Sequence, residues 1–186
     1  FKAIVAYNIA TGQKIQVTDG IADAIDPVWD ADGRYLYFLA STDFALNSAW
    51  LDMSKYNLPV TRGLYMAVLS KTGQSPFLPK SDEEETKPAS GDNAKKDSVV
   101  VKIDADGIQQ RILPVNVPVR QYVALMPGPK DYVFYAESVP NQPGQTIHRY
   151  NFKDRKAEVY LANVQSASIS EDRKQFLYQS GGFWGI

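Results

Sequence analysis

The sequence predicts an all-β fold built from repeated antiparallel hairpins. One strand phrase of aromatic and aliphatic residues starts at positions 35, 132 and 175, which are 97 and 43 residues apart. A spacing of about 40–45 residues is typical of one four-stranded propeller blade. We therefore predict a partial β-propeller, with about two complete four-stranded antiparallel blades plus two half-blades. The three copies of the phrase are Tyr35–Phe38, Tyr132–Tyr135 and Gln175–Tyr178.

A second phrase, a strand followed by a tight polar turn and another strand, alternates with the first. Thr-Gly, Asp-Gly and Asp-Arg-Lys supply its turns, and these residues tolerate positive φ or form Asx turns. We predict that the first phrase forms the two inner strands of a blade and the second phrase the two outer strands. The copies of the second phrase are Val5–Val17, Val99–Leu113 and Ile147–Leu161.

This alternation makes the whole chain one propeller segment, 1–186, in four parts. An outer half-blade at 1–20 comes first, and a blade at 26–117 follows it. The next blade spans 121–164, and an inner half-blade spans 165–186.

Two insertions lengthen the first complete blade. The insertion at 43–62 is apolar enough to pack across a blade face as an irregular segment or short helix, and we expect little helix outside 43–56. The insertion at 71–97 begins with an extended Ser75–Pro79. Residues 81–96 then contain no aliphatic side chain larger than alanine. We expect them to be mobile, because burial cannot offset their ordering entropy.

The composition limits the classes of partner. The 186 residues are 44% hydrophobic and 22% charged, which is enough for one good core. Twenty basic residues face 21 acidic ones, giving a net charge of -1. This near-zero net charge provides neither a positive electrostatic field that would attract nucleic acid nor a polybasic site that would bind a membrane surface. With a mean hydropathy of -0.31 and no long apolar run, we predict no nucleic-acid partner, no membrane partner and no transmembrane helix.

Cysteine is absent, which removes disulfides and thiolate metal sites. The cytoplasm and the periplasm are both compatible with this, and the periplasm is the favoured expectation. Phe1 stands directly before an apolar strand, and Phe183–Ile186 start what reads as another strand. We therefore expect the chain to be a fragment of a longer polypeptide.

The residues that catalysis or metal binding would need are scarce. His148 is the single histidine, so histidine clusters for zinc cannot form. It lies in an alternating strand next to Arg149, and no nucleophile elbow occurs in the chain. We interpret His148 as a strand residue that faces solvent or a neighbouring blade. No Gly-rich phosphate loop is present either, and we predict no catalytic residue, no metal ligand and no cofactor.

Two acidic groups resemble cation sites but have simpler interpretations. Asp30 and Asp32 match the spacing of the first two ligands of a calcium loop, yet no third ligand or bidentate Glu follows at the required distance. Turn capping explains an Asp-x-Asp-Gly sequence in an inner hairpin. We interpret the acidic run Asp82–Glu85 as a solvated linker rather than a cation site.

Aromatic residues around the first hairpin could form either a carbohydrate platform or a core. Alternation sends Tyr35 and Tyr37 to one face of their strand, and Leu36 and Phe38 to the other. Both faces of a propeller sheet pack against neighbouring blades. We therefore favour core packing for this group, which includes Trp29.

Residues Pro27–Leu39 are similar to the repeat of TolB-like propellers. The segments that follow resemble, in order and spacing, the propeller region of tricorn-type peptidases. The likeness covers about 26–186, and it departs from the pattern at Met126–Lys130, where an Asp-Gly turn is expected. The segments that carry it are Ser41–Phe44, Gly63–Leu69, Ser75–Glu84 and Val101–Ile112.

In that family, propellers precede a PDZ-like module and a serine-peptidase domain related to the tail-specific proteases, and they are thought to channel peptides. The resemblance implies a non-catalytic propeller segment of a larger tricorn-like serine peptidase. Its partners would be peptides or unfolded protein, or other parts of the assembly. None of the family's catalytic motifs is present, so no catalytic residue carries over. Two alternatives are a TolB-like protein-binding module without a peptidase and a propeller-based glycan-active enzyme.

We also expect the chain to self-associate. An arc of two to three blades leaves sheet faces that neighbouring blades would cover, and large apolar patches rarely stay exposed to water. The residues expected to be exposed are Tyr7, Ile9, Phe176, Tyr178 and Trp184.

Overall fold

The computed structural model describes residues 1–43, 59–79, 99 and 101–186. In these ranges the helices and strands are all β-strands except for one short 3₁₀ helix at Ile108–Arg111. The expectations for the body of the first insertion, 44–58, and for the mobility of 81–96 lie outside the described residues. No helix in the described ranges is long and apolar enough to cross a membrane.

Twelve strands are present in the described residues, and every pairing between them is antiparallel. They form a two-stranded sheet β1-β2, a four-stranded sheet β3-β4-β5-β6 and a six-stranded sheet that runs in chain order from β7 to β12. This arrangement confirms the predicted all-β partial propeller. The strands are β1 Val5–Tyr7, β2 Lys14–Gln16, β3 Asp23–Trp29, β4 Tyr35–Ser41, β5 Gly63–Val68, β6 Ile112–Pro114, β7 Tyr122–Pro127, β8 Tyr132–Ser138, β9 Gln145–Asn151, β10 Lys156–Ile169, β11 Phe176–Ser180 and β12 Phe183–Gly185.

The long strand β10 belongs to two parts of the six-stranded sheet. Between Lys156 and Val164 it pairs with β9, and between Val164 and Ile169 it pairs with β11. Register shifts interrupt both pairings near Val164, and such irregularities bend a strand. The strand β10 is therefore both the last strand of the group β7–β10 and the first strand of the group β10–β12.

The sheets pack face to face, and β4 contributes to the core on both of its faces. Tyr35 and Tyr37 belong to the cluster between the second and third sheets, whereas Leu36 and Phe38 belong to the cluster shared with the first sheet. The predicted alternation and the core packing of these four residues are confirmed. A strand that is apolar on both faces is stable only between two layers, which fixes the position of β4.

The turn between β7 and β8 is regular although it lacks the expected Asp-Gly pair. Asp131 adopts the left-handed conformation at φ 66°, which aspartate tolerates better than most residues. The Tyr132 amide donates to the Pro129 carbonyl at 3.0 Å. A Cβ at Gly128 would lie 2.5 Å from the Tyr132 carbonyl oxygen, so glycine permits the close approach in this turn.

The predicted hairpin at Val99–Leu113 is wrong. The third strand of its blade is β5, and the described residues between 99 and 111 contain no strand. Gly107 takes a left-handed conformation and begins the 3₁₀ helix, whose Ile108 is buried in the core. The Asp104 amide donates to the Leu69 carbonyl at 3.0 Å. This segment is therefore held beside the end of β5 and joins the sheet only at β6.

The expectation that Ser75–Pro79 is extended is also wrong. The Leu78 amide donates to the Ser75 carbonyl at 3.3 Å, which closes a turn. Phe77 packs against Phe152 of the third sheet, with ring centroids 6.2 Å apart. This apolar contact bends the segment back onto the neighbouring sheet.

Two expectations about exposure are wrong as well. Trp29 was expected in the core, but it is 39% exposed, because the short two-stranded sheet beside it covers little of that face. Phe176 was expected to be exposed, but it is 9% exposed, since it packs against Phe134 with ring centroids 5.3 Å apart.

The other residues that we expect to be exposed differ from one another in the structure. Tyr178 is half-buried. The predicted exposure of Tyr7, Ile9 and Trp184 is confirmed. Both ends of the described arc therefore present apolar side chains to solvent.

Candidate functional site

A cleft of about 290 Å³ opens where the second and third sheets meet. Four connections build it, because the β3–β4, β5–β6, β7–β8 and β9–β10 connections all lie at the same end of these sheets. Connections supported by rigid strands are common places for binding residues. The cleft is lined by Asp30, Ala31, Asp32, Arg34, Tyr35, Tyr37, Gln74, Ser75, Pro76, Lys130, Asp131, Phe152 and Lys153.

Aromatic rings form the inner wall of the cleft. Tyr37 stacks on Phe152 with ring centroids 4.7 Å apart, which joins the two sheets. The Tyr35 hydroxyl donates to the Gln74 carbonyl at 2.7 Å and holds the β5–β6 connection in place. These contacts give the cleft a rigid apolar wall.

Asp32 lies between two cations at the rim of the cleft. Arg34 Nη2 and Lys130 Nζ each lie 3.1 Å from Asp32 Oδ2. Arg34 comes from the same turn, whereas Lys130 comes from the neighbouring sheet. The two positive charges are therefore held on one carboxylate.

Asp30 is the most buried charged side chain of the cleft, with 7% of its side chain exposed. Its carboxylate accepts a hydrogen bond from the Asp32 amide, so the predicted turn-capping role is present. Arg34 Nε lies 4.0 Å away. Burial raises the pKa of Asp30, and the Asp32 amide and the Arg34 charge only partly oppose it.

Asp131 reaches the same region from the third sheet. Burial is the main reason that the pKa of Tyr35 and the pKa of Tyr37 are raised, and the charges of Asp30 and Asp131 both add to it. The two carboxylates therefore act on the same pair of phenols. Within the described part of the chain, no hydrogen bond or ion pair engages the Asp131 carboxylate.

A second polar group lies at the opposite end of these sheets, around the buried Glu137. Its Oε2 lies 2.7 Å from His148 Nε2, and its Oε1 lies 3.2 Å from Arg120 Nη1. The His148 ring stacks on Tyr135 at 5.0 Å and contacts Tyr122 edge-on at 6.4 Å. His148 thus faces the packed interface rather than solvent. This is one of the two environments that we predict for it. No hydroxyl among the described residues is hydrogen-bonded to this histidine.

The carboxylate of Asp43 joins the two ends of the first insertion. Asp43 accepts hydrogen bonds from the Thr61 hydroxyl at 2.6 Å, from the Thr61 amide at 3.2 Å and from the Ser41 hydroxyl. Burial opposes ionisation, but these hydrogen bonds outweigh it and lower the pKa of Asp43. Residues 43 and 61 are therefore fixed to each other.

The second insertion is closed in a similar way. Asp104 Oδ2 accepts from the Lys71 amide at 2.8 Å, and Asp106 Oδ2 lies 2.5 Å from Lys71 Nζ. Arg111 donates to the carbonyls of Val68 and Asp106 at 3.0 and 2.9 Å. Both insertions thus leave the blade from fixed positions.

Comparison with known proteins identifies the family. The model of the tricorn protease second beta propeller domain matches residues 1–183. The chain belongs to this family. It is similar to a putative tricorn-like protease C-terminal subunit of Sulfurisphaera tokodaii, with 28% identity over 176 residues, 90% of the chain and 18% of that protein. It is also 28% identical, over 89% of its length and 15% of the relative, to a tricorn protease homolog of Saccharolobus solfataricus.

Solved structures agree with this assignment at the level of the fold. The crystal structure of the tricorn protease superposes with a TM-score of 0.66 and 18% identity, over 96% of the chain and 17% of that protein. TolB from Acinetobacter baumannii gives a TM-score of 0.50 and 13% identity, over 98% of the chain and 37% of TolB. The chain spans less than a fifth of the tricorn-related proteins that it matches.

In this tricorn-family propeller, sequence reasoning singled out part of the cleft and missed the rest. Asp30 and Asp32 were recognised as a turn, and Tyr35 and Tyr37 as core. Asp131 was missed, although an aspartate after Gly-Pro-Lys is a turn signal. The described residues contain no grouping of three or more His, Asp or Glu side chains suited to a metal ion.

Proposed function

We propose that this chain is a non-catalytic propeller segment of a larger tricorn-like serine peptidase, where it binds or gates peptide substrates or organises the assembly. The match of residues 1–183 to the tricorn propeller domain carries this proposal. Because the chain corresponds to 18% and 15% of its two relatives, we assign hydrolysis to other parts of the parent enzyme. Peptides or unfolded protein are the proposed partners.

The geometry supports binding rather than chemistry. The cleft between the second and third sheets has an aromatic wall and a few converging charged groups, which is a common composition for a ligand site. The ring of His148, which is paired with the buried Glu137, packs against Tyr122 and Tyr135. To hydrolyse an amide, this pair would also need a nucleophile and an oxyanion site beside it.

We further propose the blade limits 1–20, 26–117, 121–164 and 165–186. The change of pairing partner of β10 at Val164 supports the last of these boundaries. The exposed apolar residues at both ends support self-association of the isolated chain.

The proposed function is tested with fluorescently labelled unstructured peptides. Anisotropy measures binding to the 186-residue chain, and mass spectrometry of the same samples measures cleavage. We expect saturable binding with the peptide masses unchanged. Absence of binding would contradict peptide handling. Cleavage that is lost on substitution of a serine in the chain would contradict a non-catalytic role.

One observation favours the glycan-active alternative enough to include it in the test. Asp30 and Asp131 line one cleft, and glycosidases use two carboxylates that flank the scissile bond. Oligosaccharides are therefore incubated in parallel with the peptides. Under the proposed function they remain intact, whereas hydrolysis that is lost in Asp131→Asn would support the alternative.

A further inference from the structure

The charges that line the cleft are unequally paired. Three carboxylates and three cations contribute to its wall. Two of the cations, Arg34 and Lys130, each lie 3.1 Å from Asp32. Asp30 and Asp131 are left facing the aromatic wall, with Lys153 as the third cation of the lining.

Asp30 is buried, and its paired cation, Arg34, is shared with Asp32. Its side chain is only 7% exposed, and the nearest Arg34 nitrogen lies 4.0 Å away, beyond hydrogen-bonding distance. A buried carboxylate loses hydration free energy that only a nearby positive charge or further hydrogen bonds restore. Asp131 lines the same cleft as these two tyrosines but comes from the other sheet, and it has no ion-pair partner in the described residues.

We propose that this cleft binds a positively charged nitrogen group of a peptide, carried by a lysine side chain or by the amino terminus. The inference rests on the proposed function, since it names the group that a bound peptide places in the cleft. The ammonium lies between Asp30 and Asp131, and the aliphatic part of the ligand lies against Tyr35 and Phe152. A cleft of about 290 Å³ holds a group of this size.

Aromatic rings suit such a ligand. A cation near an aromatic ring is attracted by the ring's quadrupole, and the methylene groups of lysine pack on apolar surface while its charged end stays hydrated or paired. The cleft offers both surfaces, because its carboxylates come from the turns and its rings from β4 and the end of β9.

The probes are three peptides and the intact 186-residue chain. The first peptide carries a central lysine with both ends blocked, and the second is identical except for norleucine, which keeps the methylenes and removes the charge. The third has a free amino terminus and norleucine. We expect a charged probe to bind about tenfold more tightly than the blocked norleucine peptide, as for a hydrogen-bonded charge. Which charged probe binds distinguishes the side chain from the amino terminus.

The variant Asp131→Asn removes one carboxylate while keeping a residue that tolerates the left-handed conformation. Asp26→Asn is the matched control, because Asp26 is exposed, has φ 51° and does not line the cleft. We expect Asp131→Asn to abolish most of the preference for the charged probe and Asp26→Asn to retain it. Thermal unfolding of both variants verifies that each is folded. As a second measurement, the amide resonances of Ala31 and Gln74 in the wild-type chain shift on addition of the charged probe.

The outcomes separate the two proposals. Equal binding of the charged and neutral peptides overturns the cationic preference and leaves the proposed function in place. A preference that persists in Asp131→Asn, or that appears without shifts at Ala31 and Gln74, overturns the assignment to this cleft. If none of the peptides binds at all, the proposed peptide handling fails and this inference fails with it.

Discussion

Lys130 and Asp32 connect the second and third sheets at the rim of the cleft, with Lys130 Nζ 3.1 Å from Asp32 Oδ2. The β7–β8 turn receives a comparable contact, because Arg173 Nη1 of the β10–β11 connection donates to the Gly128 carbonyl at 3.2 Å. The β3–β4 turn is thus contacted by a cation from the β7–β8 turn, and the β7–β8 turn by a cation from the β10–β11 connection. The cleft lies beside the first of these contacts.

The Lys130–Asp32 ion pair should contribute little to stability. Lys130 is 66% exposed and Asp32 is 37% exposed, and Arg34 also binds Asp32. We expect a double-mutant cycle of Lys130→Met and Asp32→Asn to give a coupling free energy of about 0.2–1 kcal/mol that decreases with added salt. Urea unfolding at low and high ionic strength measures it. A salt-independent coupling of several kcal/mol would show that this contact is not a surface ion pair.

Two buried tyrosines should respond differently to loss of the hydroxyl. Tyr122 donates to the Pro118 carbonyl at 2.6 Å, whereas the Tyr150 hydroxyl is buried with no hydrogen-bond partner in the described residues. We expect Tyr122→Phe to lower the free energy of unfolding by about 1 kcal/mol, and Tyr150→Phe to change it by less than about 0.5 kcal/mol or to raise it. Urea unfolding compares the two variants under identical conditions. An equal loss in both would mean that the Tyr150 hydroxyl is also bonded in the folded state.

Two aspartates should affect the pH dependence of stability in opposite directions. The pKa of Asp43 is lowered in the fold, so its stabilisation is present above the unfolded pKa of about 3.9 and is lost as the pH falls through the folded pKa. The pKa of Asp30 is raised, so its ionisation opposes folding increasingly as the pH rises from the unfolded pKa through the folded one. We expect Asp43→Asn to be less stable than wild type at pH 7 and Asp30→Asn to be at least as stable.

Thermal unfolding between about pH 3 and pH 7 tests this pair. Both differences from wild type should begin to shrink towards acid, that of Asp30→Asn as the pH falls through the raised folded pKa and that of Asp43→Asn as the pH falls below the unfolded pKa. The same pH response in the two variants would contradict the assigned causes. Asp26→Asn, at an exposed aspartate, is the control for the substitution itself.

The isolated chain should self-associate through its apolar ends. Phe183 and Trp184 are 80% and 61% exposed on β12, and Ile9 is 91% exposed after β1. We expect sedimentation velocity to show a mass that rises with concentration, and a double variant Phe183→Ser, Trp184→Ser to suppress the rise. Val119→Ser is the control, since Val119 is also 61% exposed but lies in the connection before β7. A chain that stays monomeric at high concentration would refute this prediction.

Local sequence patterns predicted the strands better than their long-range partners. The alternation of Tyr35 and Leu36 was sufficient to predict a strand buried on both faces, since each face follows from period two. The Asp106-Gly107 pair was misleading, because the same turn chemistry can begin a 3₁₀ helix as readily as it can close a hairpin. Nothing local indicates that the true neighbour of β6 is the distant strand β5.

The cleft was harder to predict for the same reason. Asp30 and Asp131 lie in turns of different sheets, and only the packing of those sheets brings them to one cavity. By contrast, Glu137 and His148 lie on paired strands of one hairpin, so a correct register would have placed them together. Residues joined by local pairing are accessible from sequence, whereas residues joined by packing of blades are not.

The most direct test of the account is to map peptide binding onto the chain by NMR. A blocked, unstructured peptide that contains lysine is titrated into the ¹⁵N-labelled 186-residue chain while its integrity is monitored. We predict that the peptide stays intact and that the shifting amides cluster at the cleft, at Ala31, Gln74 and Asp131, with little change at Val159 on the exposed face of β10. Cleavage of the peptide by the chain, or an absence of any binding at saturating peptide, would contradict it.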